Sequence, residues 1–254
     1  MTPRWAAIPR ARVPAPPSGG RRAARHHAPA ALALLLALTA WATAAPPCTI
    51  DALVTALDPD AYPERIVLDS AWRLPPGYAP TDLVPVSLAG FASDLLLRAI
   101  VIDDLRALRD AAEADGVHLA VQSAYRSEAY QDQVHQGWVR LLGAERAAAV
   151  SARAGHSEHQ LGTALDLRSA DGPPAWDLDD WATTAEGAWV AEHAARFGFV
   201  VSYPRGARDV TCYDYEPWHL RWVGRAAAAD ASASGLAYRA WLYLHHPPTA
   251  PPRP

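Results

Sequence analysis

The chain is predicted to form a single α+β domain, on three observations. Half of its 254 residues are apolar, enough to bury one substantial core. Stretches with apolar residues at helical spacing are interleaved with short stretches that alternate apolar and polar residues. Glycine-containing turns between them gather histidines and carboxylates, so the loops carry the chemistry. No internal repeat is visible.

Residues 49 to 90, rich in Pro, Asp and Leu, read as an extended wrapping segment with a turn at Pro75-Pro76-Gly77. Leu95 to Ala112 has helical periodicity with Asp and Arg on the outer face, which predicts a core-facing helix. Gly116 is its stop, and Val117 to Ser123 alternates like a half-buried strand. Ser127 can cap a helix running to Leu142. Thr163 to Leu167 reads as a strand, with Leu165 and Leu167 in the core and Asp166 on the opposite face. Thr184 to Phe197 is a further helix, closed by Gly198 and followed by a strand from Phe199 to Tyr203. A last helix around Gly235 to Leu244 precedes a Pro-rich tail, 246–254, expected to be disordered.

Residues 1–45 read as an address label. Six arginines without an acidic residue precede the apolar run Ala30 to Ala42 and the small-residue pattern Ala42-Thr43-Ala44. The run is short for a membrane span, and the segment is either a cleaved signal peptide or an N-terminal anchor. Either way the domain, 46–245, is expected to be exported, to the periplasm, cell wall or medium. Without residues 1–45 the chain keeps 17 basic against 27 acidic side chains, a net charge near -10. That balance argues against nucleic acid as partner, since phosphate binding needs a basic footprint. Cys48 and Cys212 are the only cysteines; in an oxidising compartment they form one disulfide or remain two thiols.

Three places carry the chemistry. In the stretch Gly155 to Leu167, Gly162 lets the chain turn, so that the His159 imidazole comes back beside the Asp166 carboxylate, as two ligands of a zinc site. In Tyr215-Glu216-Pro217-Trp218-His219-Leu220-Arg221, His219 can complete the ligand set and Glu216 is the candidate base; Pro217 excludes a helical HExxH arrangement, which points to strands and a bend. In Ser123-Ala124-Tyr125-Arg126-Ser127, with Gln131, the Arg126 guanidinium is suited to holding a carboxylate.

Together these residues resemble the zinc D-alanyl-D-alanine carboxypeptidases of the VanY type. The family pattern SxHxxGxAxD is matched by Ser157 to Asp166, EPWHxR by Glu216 to Arg221, and SxYRSxxxQ by Ser123 to Gln131. The resemblance covers roughly residues 66 to 245. It implies a small antiparallel sheet flanked by helices, zinc held by His159, Asp166 and His219, and a zinc-activated water deprotonated by Glu216. Arg126 would stabilise the oxyanion or grip the substrate carboxylate, with Ser127, Gln131 and Ser157 lining the pocket. The implied substrates are peptidoglycan stem peptides, cleaved by a monomer that removes the terminal D-alanine. L,D-carboxypeptidase or endopeptidase action, or a non-catalytic wall-binding module, are the alternatives.

Other residues near the motifs have plainer readings. His156 is a loop residue, His135 and His193 are surface or packing residues, and Glu158 is an ion-pair partner or orients a ligand. Trp218 is either core or cleft wall. The chain departs from the pattern at Cys212, where relatives often have a small residue, frequently glycine, and at Ser202, where they often have arginine.

Overall fold

The computed structural model describes residues 45–249. The expected address segment lies outside them, apart from its last residue. So does the tail from residue 250, whereas Thr249 is described and its carbonyl accepts a hydrogen bond from the Ala56 amide at 2.9 Å. Among the described residues no helix is long and apolar enough to cross a membrane.

The site is built on a four-stranded antiparallel sheet. Strands β5 (Leu119–Ser123), β6 (Ala164–Ser169), β7 (Phe199–Val201) and β8 (His219–Trp222) lie in the order β5-β6-β8-β7. Two small ribbons flank it: β1 (Leu53–Val54) with β2 (Trp72–Arg73), parallel, and β3 (Leu83–Pro85) with β4 (Leu96–Arg98), antiparallel. The strict alternation of β6 and β8 divides their side chains. Leu165, Leu167, Leu220 and Trp222 go into the main core, while Asp166, His219 and Arg221 face the other way.

Helix α1 (Ile102–Ala114) lays Leu105, Leu108 and Ala112 against the core side of this sheet. It begins later than its periodicity suggests. Of the stretch expected to be helical from Leu95, Leu96–Arg98 is strand β4 and Ala99–Val101 a 3₁₀ turn. A continuous apolar run fits a buried strand as well as a buried helix, and here the decision is tertiary. Leu97 is fully buried, and the Arg98 guanidinium reaches Asp82 and the Pro59 carbonyl, contacts available only beside β3.

The helix capped by Ser127 is α2 (Glu128–Leu142), and the Ser127 hydroxyl accepts from the Tyr130 amide. Helix α3 (Ala144–Val150) follows at once; its alanine-rich sequence shows no apolar stripe, and the sequence reading passes over it. The expected Thr184–Phe197 helix is α4 (Ala185–His193) continued by a 3₁₀ turn to Phe197, with Thr184 as its cap and Gly198 as its left-handed stop. A short helix, α5 (Arg208–Thr211), ends at Cys212. Near the C-terminus there are two helices where one is expected, α6 (Arg225–Ser234) and α7 (Tyr238–His245). Gly235 ends α6 rather than starting the last helix.

The wrapping segment behaves as expected, and its grip is chemical as well as apolar. Val67 and Trp72 pack with Val223, Tyr238, Trp241 and Leu242 in a second core cluster. The buried Asp69 carboxylate receives the Arg239 guanidinium at 2.7 Å and the Tyr243 hydroxyl at 2.9 Å. Cys48 and Cys212 are joined as a disulfide with Cα atoms 5.4 Å apart. Cys212 has φ 71°, a left-handed conformation that favours glycine.

Candidate metal and catalytic site

His159 sits on a 3₁₀ turn, Glu158–Leu161, that is capped at one end by the Ser157 hydroxyl, which accepts from the His159 amide, and ended by Gly162 at φ 77°. A side chain at Gly162 would collide with Arg98 as well as require that left-handed backbone. The turn returns the chain directly into β6, which carries Asp166. Across the β6–β8 pairing, Asp166 lies opposite His219. Glu216 precedes β8 on a bend, with its amide donating to the Tyr203 carbonyl and its own carbonyl accepting from the His219 amide.

The three residues expected to hold a metal do converge. One ligand atom from each of His159, Asp166 and His219 can be chosen so that all lie within 4.8 Å of one another, and all three residues are buried. The tautomers follow from the partners. His159 Nδ1 is 2.7 Å from the Ala124 carbonyl, which can only accept, so Nδ1 carries the proton and Nε2 presents its lone pair inward. His219 Nε2 donates to Glu158 Oε2 at 2.9 Å, which turns Nδ1 toward Asp166 Oδ1 at 3.1 Å.

His159 Nε2 is buried without a hydrogen-bond partner, and Asp166 Oδ1 stands 3.4 Å from it. Two lone-pair groups facing each other at that distance repel unless a cation lies between them. Two imidazoles and a carboxylate form a zinc ligand set that leaves a coordination position open. The residues present therefore fit zinc.

Charge is arranged around this point. Burial alone would raise the Asp166 carboxyl, but His159 and His219 outweigh it and hold it far below the usual carboxylate range. Burial, with Arg126 nearby, pushes the His159 imidazole down to about 4, so it is neutral at pH 7. The His219 imidazole is also penalised by burial, yet hydrogen bonds to Asp166 and Glu158 carry it up to about 10 in the metal-free protein. Glu158 is driven up by burial and down, by more, by Arg221 and His219, settling at about 2.

Glu216 is the exception among the carboxylates. Burial raises it to about 7, with Asp166 adding to the rise and His219 and Arg126 opposing it. Its Oε2 lies 3.9 Å from His219 Nδ1, and its side chain retains 20% exposure. A partly exposed carboxylate beside the candidate ligand cluster, raised toward neutrality in the metal-free protein, has the properties of a general base.

Arg126 comes to the same place, its Nη1 4.0 Å from Asp166 Oδ2 and 3.3 Å from the Ser123 hydroxyl. Its Nε is buried without a partner, which leaves a donor for a ligand. The remaining expected pocket residues divide. Ser127 lines an open cavity of about 450 Å³ together with Tyr78, Tyr125 and Asp132. Ser157 is buried and occupied as a cap. Gln131 is fully buried, its amide nitrogen donating to the Ala152 carbonyl at 2.6 Å, so it holds the 151–152 backbone.

Glu158 is the ion-pair partner of Arg221 and accepts a hydrogen bond from His219. Sequence reasoning assigned no role to Arg221 or to Tyr203. Arg221 is fully buried and bonded to Glu158 Oε1 at 2.9 Å; its place two residues after His219, on the same strand face, was the signal available. The Tyr203 ring packs on the His219 ring with centroids 4.7 Å apart, a contact with no local sequence signal. Trp218 is partly buried against the main core. His135 is buried against the Ser151 carbonyl, and His193 packs edge-on to Trp189. The loop residue His156 is buried, with Nδ1 2.8 Å from the Asp69 carbonyl.

The chain is similar to proteins of one known family. The family profile described as VanY, D-alanyl-D-alanine carboxypeptidase, matches residues 94–225. A relative named putative carboxypeptidase YodJ, from Bacillus subtilis (strain 168), is 37% identical over 182 residues, 69% of this chain and 66% of the relative. The chain thus spans just under two thirds of that relative's length. Among solved structures, the LdcB LD-carboxypeptidase is 31% identical with a TM-score of 0.61, covering 76% of this chain and 95% of that one. A mutant of the vancomycin resistance D,D-pentapeptidase VanY, in complex with Zn(II), is 28% identical with a TM-score of 0.60, covering 70% and 98%. With the profile matching over half of the chain and the ligand geometry in place, the protein belongs to the VanY family of D-alanyl-D-alanine carboxypeptidases.

Proposed function

We propose that the protein is an exported zinc carboxypeptidase that removes the terminal D-alanine from peptidoglycan stem peptides ending in D-Ala-D-Ala. The observation that carries this reading is the convergence of the His159, Asp166 and His219 ligand atoms with the Glu216 carboxylate beside them. Zinc, when bound, supplies a Lewis acid for the scissile carbonyl and acidifies water to near neutral pH. Glu216 accepts the proton of the attacking water and delivers it to the amine of the departing D-alanine, a shuttle suited to a partly buried carboxylate that stands 3.9 Å from His219 Nδ1. The Arg126 guanidinium, with an unpartnered Nε, receives negative charge in the cleft, either the developing oxyanion or the substrate's terminal carboxylate. The arginine-rich segment and apolar run before residue 46 support export.

A second reading, L,D-carboxypeptidase action on tetrapeptide stems, is favoured by the similarity to LdcB. Mass spectrometry of pentapeptide and tetrapeptide stems incubated with zinc-loaded protein separates the two. Loss of one alanine from the pentapeptide alone is expected, and Glu216→Gln should reduce the rate by about 10²–10⁴-fold while zinc stays bound. Loss from the tetrapeptide alone moves the protein to the L,D class. Absence of Glu216-dependent cleavage of either directs the search to cross-linked substrates and then to a non-catalytic wall-binding module.

A further inference from the structure

The two ligand imidazoles are held in different ways. His159 is oriented by a main-chain carbonyl, Ala124, at the end of a strand, which is fixed by the fold. His219 is oriented at Nε2 by Glu158, a side chain that must itself be fixed before it can fix anything. Glu158 Oε2 also accepts from the Ser202 hydroxyl at 2.6 Å, and Oε1 accepts from Arg221 Nη1 at 2.9 Å. The Arg221 Nη2 then donates to the Pro63 carbonyl at 2.9 Å and the Ile66 carbonyl at 2.7 Å. Glu158 and Arg221 are 5% and 0% exposed, so the chain of bonds runs where water competes little.

Residues 63–66 belong to the wrapping segment and lie outside the stretch matched by the family profile. From these contacts we infer that Glu158 is a positioning residue for His219, and that the backbone at residues 63–66, acting through Arg221, is part of what sets the metal site. This rests on His219 being a metal ligand. A glutamine at position 158 cannot replace the carboxylate. It turns one oxygen into a donor facing either His219 or Arg221, so one of the two bonds must be lost.

The test is zinc affinity, measured by chelator competition on the intact protein, with the visible spectrum of the cobalt(II)-substituted form as a report on ligand geometry. Glu158→Gln is expected to weaken zinc binding about 10- to 100-fold and to alter the cobalt spectrum. Ser202→Ala keeps both charges and removes only one bond to Glu158; it is expected to shift affinity in the same direction by a smaller factor, and it decides the matter if the glutamine variant does not fold. Asp69→Asn, which disturbs a buried ion pair outside this chain of bonds, should lower stability and leave the cobalt spectrum unchanged. Wild-type affinity and spectrum in a folded Glu158→Gln or, failing that, in Ser202→Ala would overturn the inference. Failure of the wild-type protein to bind zinc would instead overturn the functional reading beneath it.

Discussion

Asp166 and His219 face each other across two antiparallel strands, and Oδ1 of the first lies 3.1 Å from Nδ1 of the second. A cross-strand pair is placed by the register of the sheet, which the buried leucines on the opposite face enforce. In the metal-free protein this pair shares a proton. With His219 held at about 10, Nδ1 is protonated at pH 7, and a metal must displace that proton to bind. Calorimetry of zinc binding to Glu216→Gln, repeated in buffers of different ionisation enthalpy, should show about one proton released per zinc at about pH 6, below the range in which a zinc-bound water ionises. Affinity should fall as the pH is lowered.

The Glu216 carboxyl exacts a stability cost with a defined pH window. Its folded value of about 7 lies above that of an exposed glutamate, near 4.3. Between those values the metal-free folded state binds more protons than the unfolded chain, so stability falls as pH rises through the window, and the full cost is reached above about 7. Metal-free Glu216→Gln should therefore melt like the parent near pH 4 and be more stable by about 1–3 kcal/mol above pH 7. Thermal unfolding in chelator across that range checks both halves of the statement.

Arg126 stands beside a candidate metal ligand, with its nearest nitrogen 4.0 Å from Asp166. That closeness to the reacting centre predicts an effect on the chemical step. Arg126→Lys should lower kcat about 10²-fold with a smaller change in KM. Steady-state kinetics on a D-Ala-D-Ala peptide separates this from a pure rise in KM, which would assign the guanidinium to the substrate carboxylate.

The disulfide closes a loop with a sequence separation of 164 residues, so its loss should cost about 2–4 kcal/mol. Because Cys212 adopts φ 71°, the replacement matters. In a Cys48→Ser background, Cys212→Gly should be more stable than Cys212→Ser by about 1 kcal/mol, measurable as a difference in Tm.

Much of the site is legible in the sequence because its residues are local to turns and strands with clear signals. Gly162, the alternation of residues 163–167 and Pro217 lead to a turn, a strand and a bend, and His159, Asp166 and His219 meet where those elements put them. The convergence of His219 on His159 comes from strand pairing across 53 residues between Asp166 and His219, which the resemblance supplied and periodicity did not. The contacts of Arg221 with residues 63 and 66 were invisible for the same reason: no short-range pattern encodes a bond spanning more than 150 residues. The same limit explains the fold errors. Leu96–Arg98 became a strand through pairing with Leu83–Pro85, and α3 and α6 are alanine-rich helices with little apolar contrast between their faces.

The Cys48–Cys212 bond also changes what a broken backbone means for this protein. Every peptide bond from Cys48 to Cys212 lies inside one covalent ring that includes Arg126, His159 and Asp166, while Glu216 and His219 follow four and seven residues beyond its closure. A single proteolytic cut anywhere in the ring leaves one covalently connected molecule, with all five of these residues still attached. Severing the fragments requires a reductant as well as a protease.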